Sequence, residues 1–193
     1  HLGMTGQFVL GDRPNRIGPH EHLSFTLDDG RVLRFTDPRR FGLMDLIAGD
    51  QLAAHRRFAA LGPEPLSPEF TPDLLAARLA GKRGPIKTVL LDQSVVAGLG
   101  NIYVCEALFL SGVSPRRMAG RVAKHAGVMV PAIRQVLEKA IEAGGSSARD
   151  YVNANGEQGW FQTQWSVYDR EDQSCVTCRK PIRRLVQGGR STF

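Results

Sequence analysis

Two cysteines with two residues between them, Cys175 and Cys178, stand near the end of the sequence in a C-V-T-C turn. This spacing lets one tight turn offer two thiolates to a single tetrahedral ion, so it reads as half of a zinc site. A redox pair would use the same spacing, although no strand–helix pattern of a thioredoxin unit surrounds it. Fifteen residues follow Cys178, the lower end of the spacer that parts the two pairs of a zinc ribbon. The third cysteine, Cys105, lies in an apolar helical stretch and reads as a small buried hydrophobe. A second chemistry is offered by Gly98-Leu99-Gly100-Asn101 before a helical pattern. N–H groups at a helix start bind phosphate, and Lys82 and Lys87 flank the stretch, but a plain tight turn would have the same letters. Met4, Arg39 and Phe41 form a third set. An unbranched apolar chain, a guanidinium and a phenyl ring can fill the gap left in a base stack when a nucleotide is extracted. Taken singly, the Met and Phe would read as core and the Arg as surface. His20 and His22 have strand spacing and could share a face toward a metal, but no third ligand accompanies them.

These groups need elements to hold them. The runs H-L-S-F-T-L and R-V-L-R-F flank Asp28-Asp29-Gly30 and predict a hairpin, since Asp-Gly supplies the positive backbone angles of a tight turn. Leu23, Phe25 and Leu27 on one arm, and Leu33 and Phe35 on the other, should form a half-buried face. Pro38 then turns the chain. Beyond a proline-rich linker from Gly62 to Pro72, Thr71-Pro72-Asp73 predicts a helix start and Gly81 its stop. A short helix should begin at Pro85, and another, capped by Asn101, should run to Gly112. A longer one should follow Pro131, with Ile133, Val136, Leu137, Ala140 and Ile141 on one face. The polar stretch S-S-A-R-D-Y-V-N-A-N-G-E-Q-G-W-F-Q-T-Q predicts a long functional loop, and strand-like segments return around the cysteine pair.

The composition points the same way. Among 193 residues, 25 Lys and Arg outnumber 19 Asp and Glu, with a sequence pI near 9.6. The excess is local: Ala107 to Leu137 carries Arg116, Arg117, Arg121, Lys124 and Arg134 without one acid. Arg179 to Phe193 holds five basic residues, again with none. Such clusters favour a polyanionic partner over a merely solvated face. Three cysteines do not make a disulfide framework, and no apolar run is long enough to span a membrane, so a cytoplasmic protein is expected. The opening His-Leu-Gly-Met shows no signal peptide, and its start in mid-pattern suggests an internal piece of a longer protein.

The motifs HLGMTG, HEH, DGRVLRFTDPRRFG, LGPEPLS, GLGNIYVCEALF, GGSSARDY, VYDRE, CVTC and GGRSTF, in this order, resemble the formamidopyrimidine-DNA glycosylase family of bacterial repair enzymes. The resemblance implies an α+β fold. It would comprise the C-terminal part of a β-sandwich (1–50), a helix-two-turn-helix bundle (51–150), a lesion-recognition loop (151–164) around Gly159-Trp160-Phe161, and an incomplete zinc-ribbon finger (165–193). It implies base-excision repair: removal of 8-oxoguanine and formamidopyrimidines from duplex DNA, then strand nicking by β,δ-elimination. By the same likeness His20, Arg39, Lys82 and Asn101 match DNA contacts, and Met4, Arg39 and Phe41 match the intercalating residues. Arg190 matches the arginine of the final elimination, and Cys175 and Cys178 match the first two ligands of one Zn2+. A monomer in the bacterial cytoplasm, associated with the nucleoid, is implied. The family's nucleophilic N-terminal proline, its neighbouring glutamate and a catalytic lysine have no match, nor do the last two cysteines. The 193 residues alone are therefore expected to bind DNA weakly and not to turn over. The related endonuclease VIII branch and a non-catalytic DNA-binding module are the rival readings.

Overall fold

A computed structural model describes residues 1–12, 17–52, 54–146 and 158–193. The fold combines helices and sheets, an α+β architecture, in two compact units. The first comprises His1–Ala48 and Ala140–Gln164, the second Gly49–Lys139 and Trp165–Phe193.

The first unit is built on an antiparallel sheet of β1 (Gln7–Gly11), β2 (Glu21–Thr26) and β3 (Val32–Thr36), with β3 in the middle. The hairpin between β2 and β3 closes as the sequence demands, with Gly30 at φ +84° and Arg31 N–H donating to Asp29 Oδ1 at 3.0 Å. Register aligns Phe8, Phe35 and Leu23 in one row and Leu10, Leu33 and Phe25 in the next. Phe35 is buried, whereas Leu23 and Phe25 are exposed, because β2 is an edge strand with a neighbour on one side only. The expected pairing of His20 and His22 on one face is corrected here. His20 precedes the strand in a left-handed conformation (φ +62°), and the register shifts between Glu21 and Leu23, so the two-residue alternation fails at this point.

The second unit holds α1 (Pro72–Leu79), α2 (Ile86–Leu90), α3 (Asn101–Leu110), α4 (Ala119–Val122) and most of α5 (Ala126–Glu142). Thr71 caps α1, its hydroxyl accepting from Leu74 N–H at 3.2 Å, and Gly81 ends the turn beyond it at φ +71°. Helix α2 packs on α3 and α4, and its apolar side, Ile86 and Leu90, is fully buried. The proline-rich linker is pinned rather than loose. The Arg134 guanidinium donates to the carbonyls of Pro65, Ser67 and Phe70 at 3.1, 2.7 and 3.0 Å. A hairpin of β4 (Leu185–Gln187) and β5 (Arg190–Thr192) ends the chain, with β5 against α3.

Two helix starts differ from expectation. Helix α5 begins at Ala126 and contains Pro131. The carbonyl that Pro131 cannot bond belongs to Gly127, and both residues lie on the exposed face, where a lost helix bond costs less than in the core. Ile133, Val136 and Ala140 are buried as expected, but Ile141 is 65% exposed, just past the edge of the apolar stripe. Helix α3 is capped by Gly100 in an extended conformation, so Asn101 is its first residue and its side chain is released for other work. Among the described residues, no helix is long and apolar enough to cross a membrane.

Candidate nucleic-acid interface

In the first unit, Met4, His20, Arg39 and Phe41 lie on segments gathered around one residue, Asp37, by its carboxylate and its backbone. Asp37 is 1% exposed. Its Oδ1 accepts the Thr5 hydroxyl at 2.5 Å and its Oδ2 the Gly42 N–H at 2.7 Å. Its own N–H donates to the His20 carbonyl at 3.0 Å, and its carbonyl accepts His22 Nε2–H at 2.8 Å. The Thr5 oxygen also accepts the Arg39 N–H at 3.2 Å. The Thr5 hydroxyl, followed by the Gly42 N–H, holds the Asp37 carboxyl below the usual aspartate range. Two segments, bearing Met4 and Arg39 to Phe41, thus converge on the Asp37 carboxylate, and the His20 segment is tied to its backbone.

Gly3 brings the first of these turns in. At φ +65°, a Cβ there would lie 2.6 Å from the Phe41 carbonyl carbon, so only glycine permits the approach. Arg40 takes a left-handed conformation (φ +58°) between Arg39 and Phe41, and the Arg39 guanidinium stacks 4.7 Å above the Phe41 ring. Met4 and Phe41 stay 69% and 58% exposed, apolar side chains held out on a polar support. His22 is a bonded structural histidine, and His20 is exposed.

Of the polar loop expected over 151–164, residues 151–157 lie outside the described residues, as does most of the G-G-S-S-A-R-D-Y motif. Trp160 is exposed and Phe161 buried. Their backbones are tied by Trp160 N–H to Ala143 O at 2.8 Å and Phe161 N–H to Gly145 O at 3.1 Å. A side chain on Gly159 would fall inside the Gly145 carbonyl, which fixes that residue as glycine.

In the second unit a buried cation plays the organising part. Lys87, read from the sequence as flanking a phosphate site, is 0% exposed and cannot reach a DNA backbone. It sits on the inner side of α2, and its ammonium donates to Ser191 O and Thr192 Oγ1, both at 2.8 Å, with Arg190 O at 3.5 Å. Burial pushes its pKa down. Asn101 Nδ2 donates to the same Ser191 carbonyl at 3.1 Å and to Tyr168 Oη at 3.3 Å. The strand that carries Arg190 is therefore gripped from α2 and α3, while the Arg190 side chain itself is exposed. Glu106 is buried and accepts three backbone N–H groups, from Ser166, Val167 and Tyr168, at 2.8 to 2.9 Å. Lys82 is exposed on the turn after α1. Gly100 gives α3 no side-chain cap, and its first turn carries no acid, so the positive end of the helix is not offset there.

Cys175 is buried beside Cys105, Val167 and Ile182, and Cys178 is exposed. Thr177 N–H donates to Cys175 Sγ at 3.4 Å, and Arg179 follows in a left-handed conformation (φ +63°). The N–H of Cys178 and then that of Thr177 lower the Cys175 pKa, as a metal-ligating thiolate requires. Among the described residues no group of three or more His, Cys, Asp or Glu is placed to hold a metal.

Sequence reasoning missed Asp37, Lys87 and Glu106 as organisers. Glu106 alone had a legible signal, being the one acid in the apolar run I-Y-V-C-E-A-L-F-L.

The chain matches two family models. The Formamidopyrimidine-DNA glycosylase N-terminal domain covers residues 1–44, and the Formamidopyrimidine-DNA glycosylase H2TH domain covers residues 61–152. A formamidopyrimidine-DNA glycosylase of Rhizorhabdus wittichii is 54% identical over 194 residues, spanning 100% of this chain and 71% of its own length. That of Acidiphilium cryptum is 53% identical with the same coverage. Among solved structures, the Lactococcus lactis Fpg in complex with abasic-site DNA aligns at TM-score 0.89 and 33% identity, over 100% of this chain and 70% of its own. The MutM (Fpg) protein of Thermus thermophilus aligns at 0.86 and 41%, over 100% and 71%.

Proposed function

The chain belongs to the formamidopyrimidine-DNA glycosylase family, and from that premise we propose that it serves base-excision repair as a DNA glycosylase with AP lyase activity. Its substrates would be 8-oxoguanine and formamidopyrimidines in duplex DNA, acted on by a monomer at the nucleoid in the bacterial cytoplasm. The observation that carries this reading is the Asp37 cluster, which holds Met4, Phe41 and the Arg39 guanidinium on adjoining turns. Extracting a nucleotide costs a few kcal/mol of stacking, and exposed apolar and planar groups on a braced support offset that cost by filling the gap.

Around this wedge, His20 and Lys82 would take backbone phosphates. Asn101, the first residue of α3, would take another together with the N–H groups of that helix start, which has no side-chain cap. The second unit would act as a helix-two-turn-helix element followed by a finger whose Arg190 assists the final elimination. Cys175 and Cys178 would give two thiolates to Zn2+, which when bound cross-links the finger and adds no chemistry of its own. The nucleophilic step depends, on this reading, on the family's proline, glutamate and lysine, for which the 193 residues hold no match.

Fluorescence anisotropy tests the reading without catalysis. The chain should bind a duplex with a stable abasic-site analogue more tightly than the same duplex undamaged; equal affinity would overturn it. Borohydride trapping on 8-oxoguanine duplex should yield no cross-link from these residues, and a cross-link would place the nucleophile elsewhere than at the proline.

A further inference from the structure

Between α1 and α2 the chain runs antiparallel to the segment that leads from α3 into α4. Gly120 N–H donates to Lys82 O and Ala119 N–H to Gly84 O, both at 2.9 Å, and Ile86 N–H donates to Arg117 O at 2.7 Å. Pro85 pairs with Met118 in this ladder. Beneath it Ile86, Ala119 and Val122 are fully buried, so the backbone is fixed from below. On these two paired segments Lys82, Arg83, Arg116, Arg117 and Arg121 are all exposed. Residues 82–83 and 116–121 are far apart in sequence, and only the ladder makes one surface of them.

No acid occurs from Ala107 to Leu137, and among the described residues none of the five cations forms an ion pair. Asp92 feels the Lys82 charge, which helps to keep it ionised after the larger effects of the Ser94 hydroxyl and N–H. Five cations on a rigid ladder repel one another, a cost that an opposing row of phosphates removes.

We propose that Arg116, Arg117 and Arg121, with Arg83, form an auxiliary DNA-backbone surface continuous with Lys82, extending the duplex contact beyond the residues so far assigned. It rests on the reading of the protein as DNA-binding. Guanidiniums suit this use, since each presents a planar fork to phosphate oxygens and stays charged. Because phosphate contacts position without reading bases, the surface should add affinity equally for damaged and undamaged duplex.

The test compares three proteins by anisotropy on undamaged and abasic-analogue duplexes over a range of NaCl. They are the unaltered chain, the patch variant Arg116→Gln/Arg117→Gln/Arg121→Gln, and a variant with equal charge loss elsewhere, Arg56→Gln/Arg57→Gln/Lys139→Gln. Each phosphate that is no longer neutralised should lower the slope of log K against log salt by about 0.9, so the patch variant should lose roughly 2 to 3 units of slope while keeping its damaged-to-undamaged ratio. The second variant should keep its slope. Unchanged circular dichroism shows that the patch variant has folded. An unchanged slope in the patch variant, or equal losses in both, overturns the proposal while the proposed function stands. Absence of binding by the unaltered chain overturns both.

Discussion

In each unit a buried charge braces the segment that carries exposed functional groups, Asp37 in the first and Lys87 in the second, and these two charges have opposite sign. In the first, the Asp37 carboxylate gathers a hydroxyl and an N–H from turns that carry Met4, Arg39 and Phe41. In the second, the Lys87 ammonium gathers a carbonyl and a hydroxyl from β5, which carries Arg190. Turns entered from their N–H side need an acceptor, whereas a strand entered from its carbonyl side needs a donor, so the backbone's own polarity selects the residue. The surroundings differ too. Asp37 sits among short turns beside a small sheet, whereas Lys87 lies in the helical core next to Ile86 and Leu90. Losing the first should loosen a local surface; losing the second should undock an element.

The sharpest way to break the contrast is therefore Lys87→Met, which keeps an unbranched chain through the core and removes the charged end. Two acceptors at 2.8 Å lose their donor inside the core, a cost of about 3 kcal/mol in unfolding free energy. Amide exchange in β4 and β5 should rise well before that of α5. Uniform acceleration over the whole chain would instead make Lys87 a general core residue. Glu106→Gln should come next, at about 2 kcal/mol, because an amide nitrogen would then face at least one of the three N–H donors. Exchange at Ser166, Val167 and Tyr168 should rise first.

The two charges also differ in how far the sequence revealed them. The β2–β3 hairpin and α1 were legible because Asp29-Gly30 and Thr71-Pro72-Asp73 act within a few residues of themselves. The start of α5 was not, since the cost of Pro131 depends on whether the Gly127 carbonyl faces water, a tertiary fact. Lys87 was misread for the same reason: its acceptors lie 103 to 105 positions further on. No local pattern marks a lysine that a distant strand will bury. The Met4, Arg39 and Phe41 set was suspected from residue type, while its support was hidden. Asp37 and Pro38 look like an ordinary turn until Thr5 arrives from the other end of the unit.

Asp37→Asn should act more locally than either change in the second unit. The amide would place a donor opposite the Thr5 hydroxyl or the Gly42 N–H, and preference for abasic-analogue duplex over undamaged should fall about tenfold, the scale of one charge-assisted bond. The pH dependence has a definite sign. With its folded pKa depressed, the carboxylate contributes stability that is fully present above its unfolded value, about 3.9, and is lost as pH falls through the folded value. The difference in thermal midpoint between the unaltered chain and Asp37→Asn should therefore be constant near neutrality and shrink below about pH 4. A difference that grows on acidification would mean that Asp37 is not the stabilising anion.

The smallest effect, and the most discriminating, is expected from Thr5→Val. The substitution keeps shape and removes only the hydroxyl, which donates to Asp37 Oδ1 and accepts from Arg39 N–H. Asp37 keeps its Gly42 partner and Arg39 keeps its ring contact with Phe41, so the fold and the salt slope of DNA binding should not change. What should change is the alignment of the Met4 turn with the Arg39–Phe41 turn. Selectivity for the abasic-analogue duplex should fall about threefold, less than for Asp37→Asn because the carboxylate keeps its charge and its Gly42 N–H, and Thr5→Ser should restore it. If Thr5→Val lowered affinity for all duplexes alike, the hydroxyl would be supporting the sheet and not the wedge. A fall in selectivity at constant slope separates the two, because phosphate contacts set the slope and only groups entering the stack respond to the missing base.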